Sequence, residues 1–190
     1  MGLMFRATTG VVLIAQLVIW LLIVILLKRS GRSTTYLLFF SIFYVYLCVL
    51  AGYALFPFYL GFYMPGFSIW NQLNLTPLTT LRRSDIRLSV LNVLMTVPFG
   101  FGIPFIAKMN IKKIIVVGLL LGVLIESLQL AQGLFLGFTT RIVDIDDVIF
   151  NFIGVIIGYG FFKLFKMCYD RLYSKAGITT NAIMKYIYDA

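Results

Sequence analysis

Glu126 and Gln129 stand three residues apart in a run that is otherwise almost wholly apolar. On a helix that spacing puts a carboxyl and an amide on one face. A carboxyl group in an apolar wall is either paired, lining a wet cavity, or positioned to exchange a proton. Two other stretches carry polar residues with the same kind of periodicity. Asn92, Thr96, Gly100 and Pro104 recur at steps of four, and the series Asp144, Asp147, Asn151, Gly154, Gly158 alternates steps of three and four. Each series marks one helix face. Glu126 beside an ionised Asp144 or Asp147 is the arrangement from which a general acid or base is built. Asp144, Asp146 and Asp147 are also hard oxygen donors of the kind a divalent cation takes, although no metal is expected here. The plainer reading has Asp144 as the N-cap of a helix and Asp147 as the third-turn-position acid of a capping box. The plainer reading of Glu126, Gln129, Asn92 and Asn151 is a hydrogen-bond network joining helices.

Much other chemistry is excluded. The chain has no histidine, which removes Ser-His-Asp and Cys-His catalysis, histidine-ligated zinc and imidazole relays. Cys48 and Cys168 have no metal-type spacing, and no bridge between them is expected. No nucleophile is evident, nor a phosphate loop or cofactor motif, so no cofactor is expected.

The elements that position these residues follow from composition. Of 190 residues, 61% are hydrophobic and 12% charged, with a mean hydropathy of +0.99. Ordinary soluble domains are about half apolar and a quarter charged. A globule this small could not hide so much apolar surface, so the chain reads as an integral membrane protein. Nucleic acid is excluded as a partner, and membrane lipid is implied. Spanning helices need about 20 mostly apolar residues. Five runs qualify, near 10–27, 36–57, 88–106, 114–132 and 148–165. The first, followed directly by Lys28-Arg29, reads as a retained helix rather than a cleaved leader.

The net charge of +9 is read first as topology. With the N-terminus outside, the inner segments hold Lys28, Arg29, Arg32, Lys108, Lys112, Lys113 and every basic residue from Lys163 onward. The outer ones hold only Arg6, Arg82, Arg83, Arg87 and Arg141. The bias favours an outer N-terminus and a cytoplasmic C-terminus. The Arg82, Arg83, Arg87 triplet runs against it, through local pairing with Asp85 or because it meets an anionic ligand. In this orientation Asn92, Asn151 and Glu126 lie about 6, 5 and 9 Å in from the outer ends of their helices. Three helices therefore bring polar groups to one level in the outer half. The expected fold is an all-α membrane bundle of about five helices over residues 1–165. A long irregular outer loop joins helices two and three, with an aromatic belt from Phe58 to Trp70 that is either interfacial or re-entrant. A cytoplasmic amphipathic tail follows over 166–190.

At these residues the chain resembles the VanZ-like family of bacterial membrane proteins. Four blocks carry the likeness: Asn74 to Thr80, Asn92 to Gly100, Glu126 to Gln129, and Arg141 through Asp144, Asp146, Asp147, Asn151 and Gly154 to Tyr159. Together they span about residues 71–159. Leu78 stands where the family usually has an aromatic, and Thr96 where it usually has an apolar residue. The resemblance implies a multi-pass protein of the bacterial cytoplasmic membrane with a role in low-level resistance to teicoplanin and related lipoglycopeptides.

Three functions compete. A binding module would use Asn74, Arg82, Arg83, Arg87, Asn92, Glu126, Gln129, Arg141, Asp144, Asp146, Asp147 and Asn151 to engage a lipid-linked cell-wall precursor or the drug. Arginine suits phosphates, while amides and carboxylates suit sugar hydroxyls and peptide groups. An enzyme acting on a lipid-linked envelope substrate would use Glu126 as its acid or base. A polyprenyl-phosphate transporter would need a polar path through the bilayer. The polar set instead stops in the outer half, and no internal repeat is present. The first reading is favoured.

Overall fold

The structure, a computed structural model, describes residues 3–6, 9–60, 68–79, 86–137, 143–176 and 181–190. Its elements in chain order are β1 (Leu3–Phe5), α1 (Gly10–Arg29), α2 (Thr34–Leu55), β2 (Phe58–Leu60), β3 (Leu73–Asn74), α3 (Ile86–Gly102), α4 (Ile111–Leu136), β4 (Val143–Asp144), α5 (Ile145–Ala176) and α6 (Ala182–Asp189). α1 to α5 are long and apolar enough to cross a membrane. They coincide with the five runs legible in the sequence.

Local chemistry sets the helix ends. Ser33 caps α2 by accepting the Tyr36 N–H, and Asn110 caps α4 by accepting that of Lys113. α4 stops at Gly137, whose left-handed φ of 68° lets its N–H return to the Gly133 carbonyl. Nothing stops α5 at the expected boundary. It continues past Phe165 to Ala176, 32 residues in all, or about 48 Å against a hydrocarbon core of about 30 Å. The first part of the tail is thus an extension of a spanning helix. The second part, α6, folds back on the bundle. Tyr186 stacks on Phe39 at 4.9 Å and its hydroxyl donates to the Phe105 carbonyl, while Lys166 Nζ donates to the Tyr188 carbonyl.

The centre of the bundle is the parallel pair α3 and α5. A Cβ on Gly154 would lie 2.1 Å from Thr96 Oγ1, and one on Gly158 would lie 2.0 Å from the Val97 carbonyl oxygen. Only glycine allows backbones this close, as in membrane helix pairs generally. α4 packs on the other side of α5. The larger buried apolar cluster, Phe99, Phe105, Ile114, Val155, Tyr159 and Phe162, gathers toward the end away from β3 and β4, and a smaller one of Leu50, Ala54 and Ile125 joins α2 to α4. α2 lies outside this trio. Among the described residues α1 has none buried and is joined to α2 by Trp20 Nε1 donating to Ser41 Oγ and Tyr44 donating to the Gln16 carbonyl.

Two short strand pairs were not foreseen. β1 pairs antiparallel with β2, and β3 pairs parallel with β4.

Gly154→Leu should therefore cost at least about 1–3 kcal/mol of stability, because backbone and the Thr96 side chain must move. Gly160, with open space around its Cβ position, should accept leucine with little loss. Melting temperatures of the two purified variants against wild type check this; equal values would contradict the seam.

Candidate functional site

The site is built where α4 ends and α5 begins. β3 and β4 bring two distant segments together, with Leu73 opposite Val143 and Asn74 opposite Asp144. Asp144 precedes α5 and caps it, its Oδ1 accepting the Asp146 N–H at 2.9 Å. Its other oxygen accepts from Asn74 Nδ2 at 2.8 Å. The Asp144 N–H donates to Glu126 Oε2 at 3.0 Å. The Leu78 N–H donates to Asp146 Oδ1, and Thr79 Oγ1 lies 3.5 Å from Asp146 Oδ2. Asn74 Nδ2 also reaches Thr79 Oγ1, and Asn74 Oδ1 accepts the Thr76 N–H. Leu78, with φ of 63°, takes a left-handed conformation that places its N–H on Asp146.

The acids are thus engaged with backbone N–H groups. Asp146 is fully buried and Glu126 is 6% exposed. Hydrogen bonds to an ionised group contribute about 1.5–3 kcal/mol each, enough to hold an irregular segment onto a helix end.

Gln129 shares the Glu126 face, as its spacing predicts, but serves another partner. Its Nε2 donates to the Ala54 carbonyl at 2.9 Å, and Gln132 Nε2 donates to that of Leu55. The two amides tie the last turn of α2 to α4. Thr96 Oγ1 lies 2.8 Å from the Asn151 carbonyl oxygen and joins α3 to α5. The same parallel register sets Gly154 against Val93 and Thr96, and Gly158 against Val97. Asn151 is 1% exposed, and its amide oxygen and nitrogen meet no partner among the described residues. Asn92 and Asp147 are half-buried. Asp144, Asp146 and Asp147 do not form a metal-holding group among the described residues: the first two are directed to Asn74 and Leu78.

Arg82, Arg83 and Arg141 lie outside the described residues, as do Phe62, Tyr63 and Phe67 of the aromatic belt and much of the loop around them. Arg87 is on the first turn of α3 and exposed; among the described residues it makes no ion pair. Sequence reasoning passed over Ser89, which is 3% exposed; its place three residues before Asn92 was an available signal. Leu78 and Thr79 fell inside a quoted block without a role. Tyr46, whose hydroxyl donates to the Met95 carbonyl at 2.8 Å, gave no signal.

Five long apolar helices with a hydrogen-bonded polar assembly at one end define a multi-pass helical membrane protein. The chain belongs to the VanZ/LLP1 family, whose model matches residues 43–166. The match contains all four blocks and extends back into α2. Comparison with curated proteins and with solved structures found no match.

Asp146→Ala should release the 74–79 segment while leaving the helices intact. Amide exchange at Leu78 should accelerate at least about fivefold, since its N–H loses its Asp146 acceptor. Unchanged exchange by mass spectrometry would mean that Asp146 does not hold the segment.

Proposed function

We propose that the β3–β4 end of the bundle faces out of the cell and binds a lipid-linked cell-wall precursor, giving low-level resistance to teicoplanin and related lipoglycopeptides. The convergence at that end carries the reading: Asn74 and Leu78, Glu126, and Asp144 and Asp146 come from three separate stretches and form one hydrogen-bonded assembly. Family membership supports the resistance role, and the charge bias of the loops supports the orientation. Binding is favoured over catalysis because Glu126 Oε2 and Asp146 Oδ1 are each held by a backbone N–H, an arrangement that shapes a surface rather than moves a proton. Arg87, on the first turn of α3, supplies charge for phosphate or carboxylate groups of the ligand, and Arg82, Arg83 and Arg141, close in sequence to the assembly's segments, are assigned the same role.

Orientation is tested by single cysteines in a background lacking Cys48 and Cys168. Positions 79 and 139 should react with a membrane-impermeant reagent in intact cells, and position 112 should not. The reverse pattern would place the assembly inside and end the proposal.

Function is tested by drug susceptibility normalised to folded protein. Glu126→Gln, Arg141→Gln and Asp147→Asn should each abolish teicoplanin resistance with abundance and melting temperature near wild type. If the assembly only joined helices, loss of resistance would follow loss of folded protein at every site, and Glu126→Gln would be nearly silent, since its amide oxygen still accepts the Asp144 N–H. Full normalised resistance in the Glu126 and Arg141 variants would refute a binding site.

A further inference from the structure

α2 meets its neighbours in two places that differ along its length. Toward its middle, the Tyr46 hydroxyl pins it to α3 at Met95. At its end, Gln129 and Gln132 bond its last carbonyls to α4. Alongside the Tyr46–Met95 contact, whose residues form part of its wall, a cleft of about 370 Å³ lies between α2 and α3. Val49 and Leu50 line it from α2; Leu91, Leu94 and Pro98 line it from α3. From Leu88 to Pro98 it runs about 15 Å along the helix, parallel to the spans and open to the bilayer side.

One end of the cleft is polar. Asn92 lines it there. Arg87 lies on the lining face, because Leu91, Leu94 and Pro98 follow it at four, seven and eleven residues. An exposed cation at the head of a narrow apolar slot complements an anionic head on a single chain. A phospholipid carries two chains for its phosphate, while a polyprenyl phosphate carries one. We infer that the α2–α3 cleft holds the prenyl chain of a polyprenyl phosphate, with Arg87 and Asn92 at its mouth receiving the phosphate. This rests on the reading that the ligand is lipid-linked, and it specifies the lipid and its seat.

The test uses full-length protein in phosphatidylcholine nanodiscs and a polyprenyl phosphate bearing a benzophenone on its chain. In the wild type, photolabelling should map to α2 residues 46–53 and α3 residues 88–98. Leu94→Trp, which fills the slot from a lipid-exposed position, should cut that labelling about tenfold. Leu124→Trp, also lipid-exposed but on α4, should not. Arg87→Gln should weaken binding about tenfold, as expected on losing a charge-assisted bond. Labelling that maps elsewhere in the wild type overturns the cleft assignment whether or not any variant folds. So does labelling indifferent to Leu94→Trp, or equal labelling by the uncharged polyprenol or by a benzophenone phosphatidylglycerol. In each of these outcomes the normalised resistance of the Glu126 and Arg141 variants still judges the broader reading separately. Specific cleft labelling alongside full resistance in those variants would keep the cleft and discard that reading.

Discussion

The carboxylate of Glu126 closes on the backbone N–H of Asp144, and the site end of the molecule is organised outward from that bond. A helix beginning near membrane depth has N–H groups that no preceding turn can accept, and hydrocarbon offers no water to take them. Here the sequence supplies carboxylates instead. Glu126 accepts from Asp144, Asp144 accepts from Asp146, and Asp146 accepts from Leu78. Glu126 and Asp146 satisfy donors from distant stretches, while Asp144 caps the helix locally and accepts from distant Asn74 with its other oxygen. The same bonds that make the start of α5 tolerable also fasten the 73–79 segment to it.

That assembly needs α3, α4 and α5 held at close range, and the glycines meet the need. Gly154 and Gly158 bring α5 against the α3 backbone, which lets Thr96 reach the Asn151 carbonyl and aligns the polar faces of the two helices. The bulky aromatics lie at the opposite end, where Phe101, Phe105, Phe162 and Phe165 pack edge to face. Aromatic packing is thus concentrated away from the polar end, and α6 adds to it by docking on Phe39 and Phe105.

α2 connects the trio to the periphery. Its bonds to α3 and α4 fall at different heights. Among the described residues α1 bonds to α2 and has none buried. The family match begins at residue 43, within α2, and ends at residue 166; it takes in every helix that contributes to the polar end and leaves out α1 and α6.

Composition and hydropathy by themselves determined the membrane class and the five spanning helices, because a run of about 20 apolar residues has few other fates. Periodicity also determined which faces are polar: Glu126 with Gln129, Asn92 with Thr96, and Asp147 with Asn151 follow directly from 3.6 residues per turn. What those faces bond to was decided only by tertiary structure. Glu126 and Gln129 lie on one stripe, yet one meets the start of α5 and the other the end of α2, because the stripe is wide enough to touch two neighbours. Asn74 and Asp144 are 70 positions apart, and no local rule couples them; their pairing depends on a two-residue parallel bridge too short to leave a pattern. The length of α5 escaped sequence reasoning as well. Hydropathy reports where apolar residues end, whereas a helix continues through polar residues until a capping group or a proline stops it, and after Phe165 the sequence offers neither before Gly177.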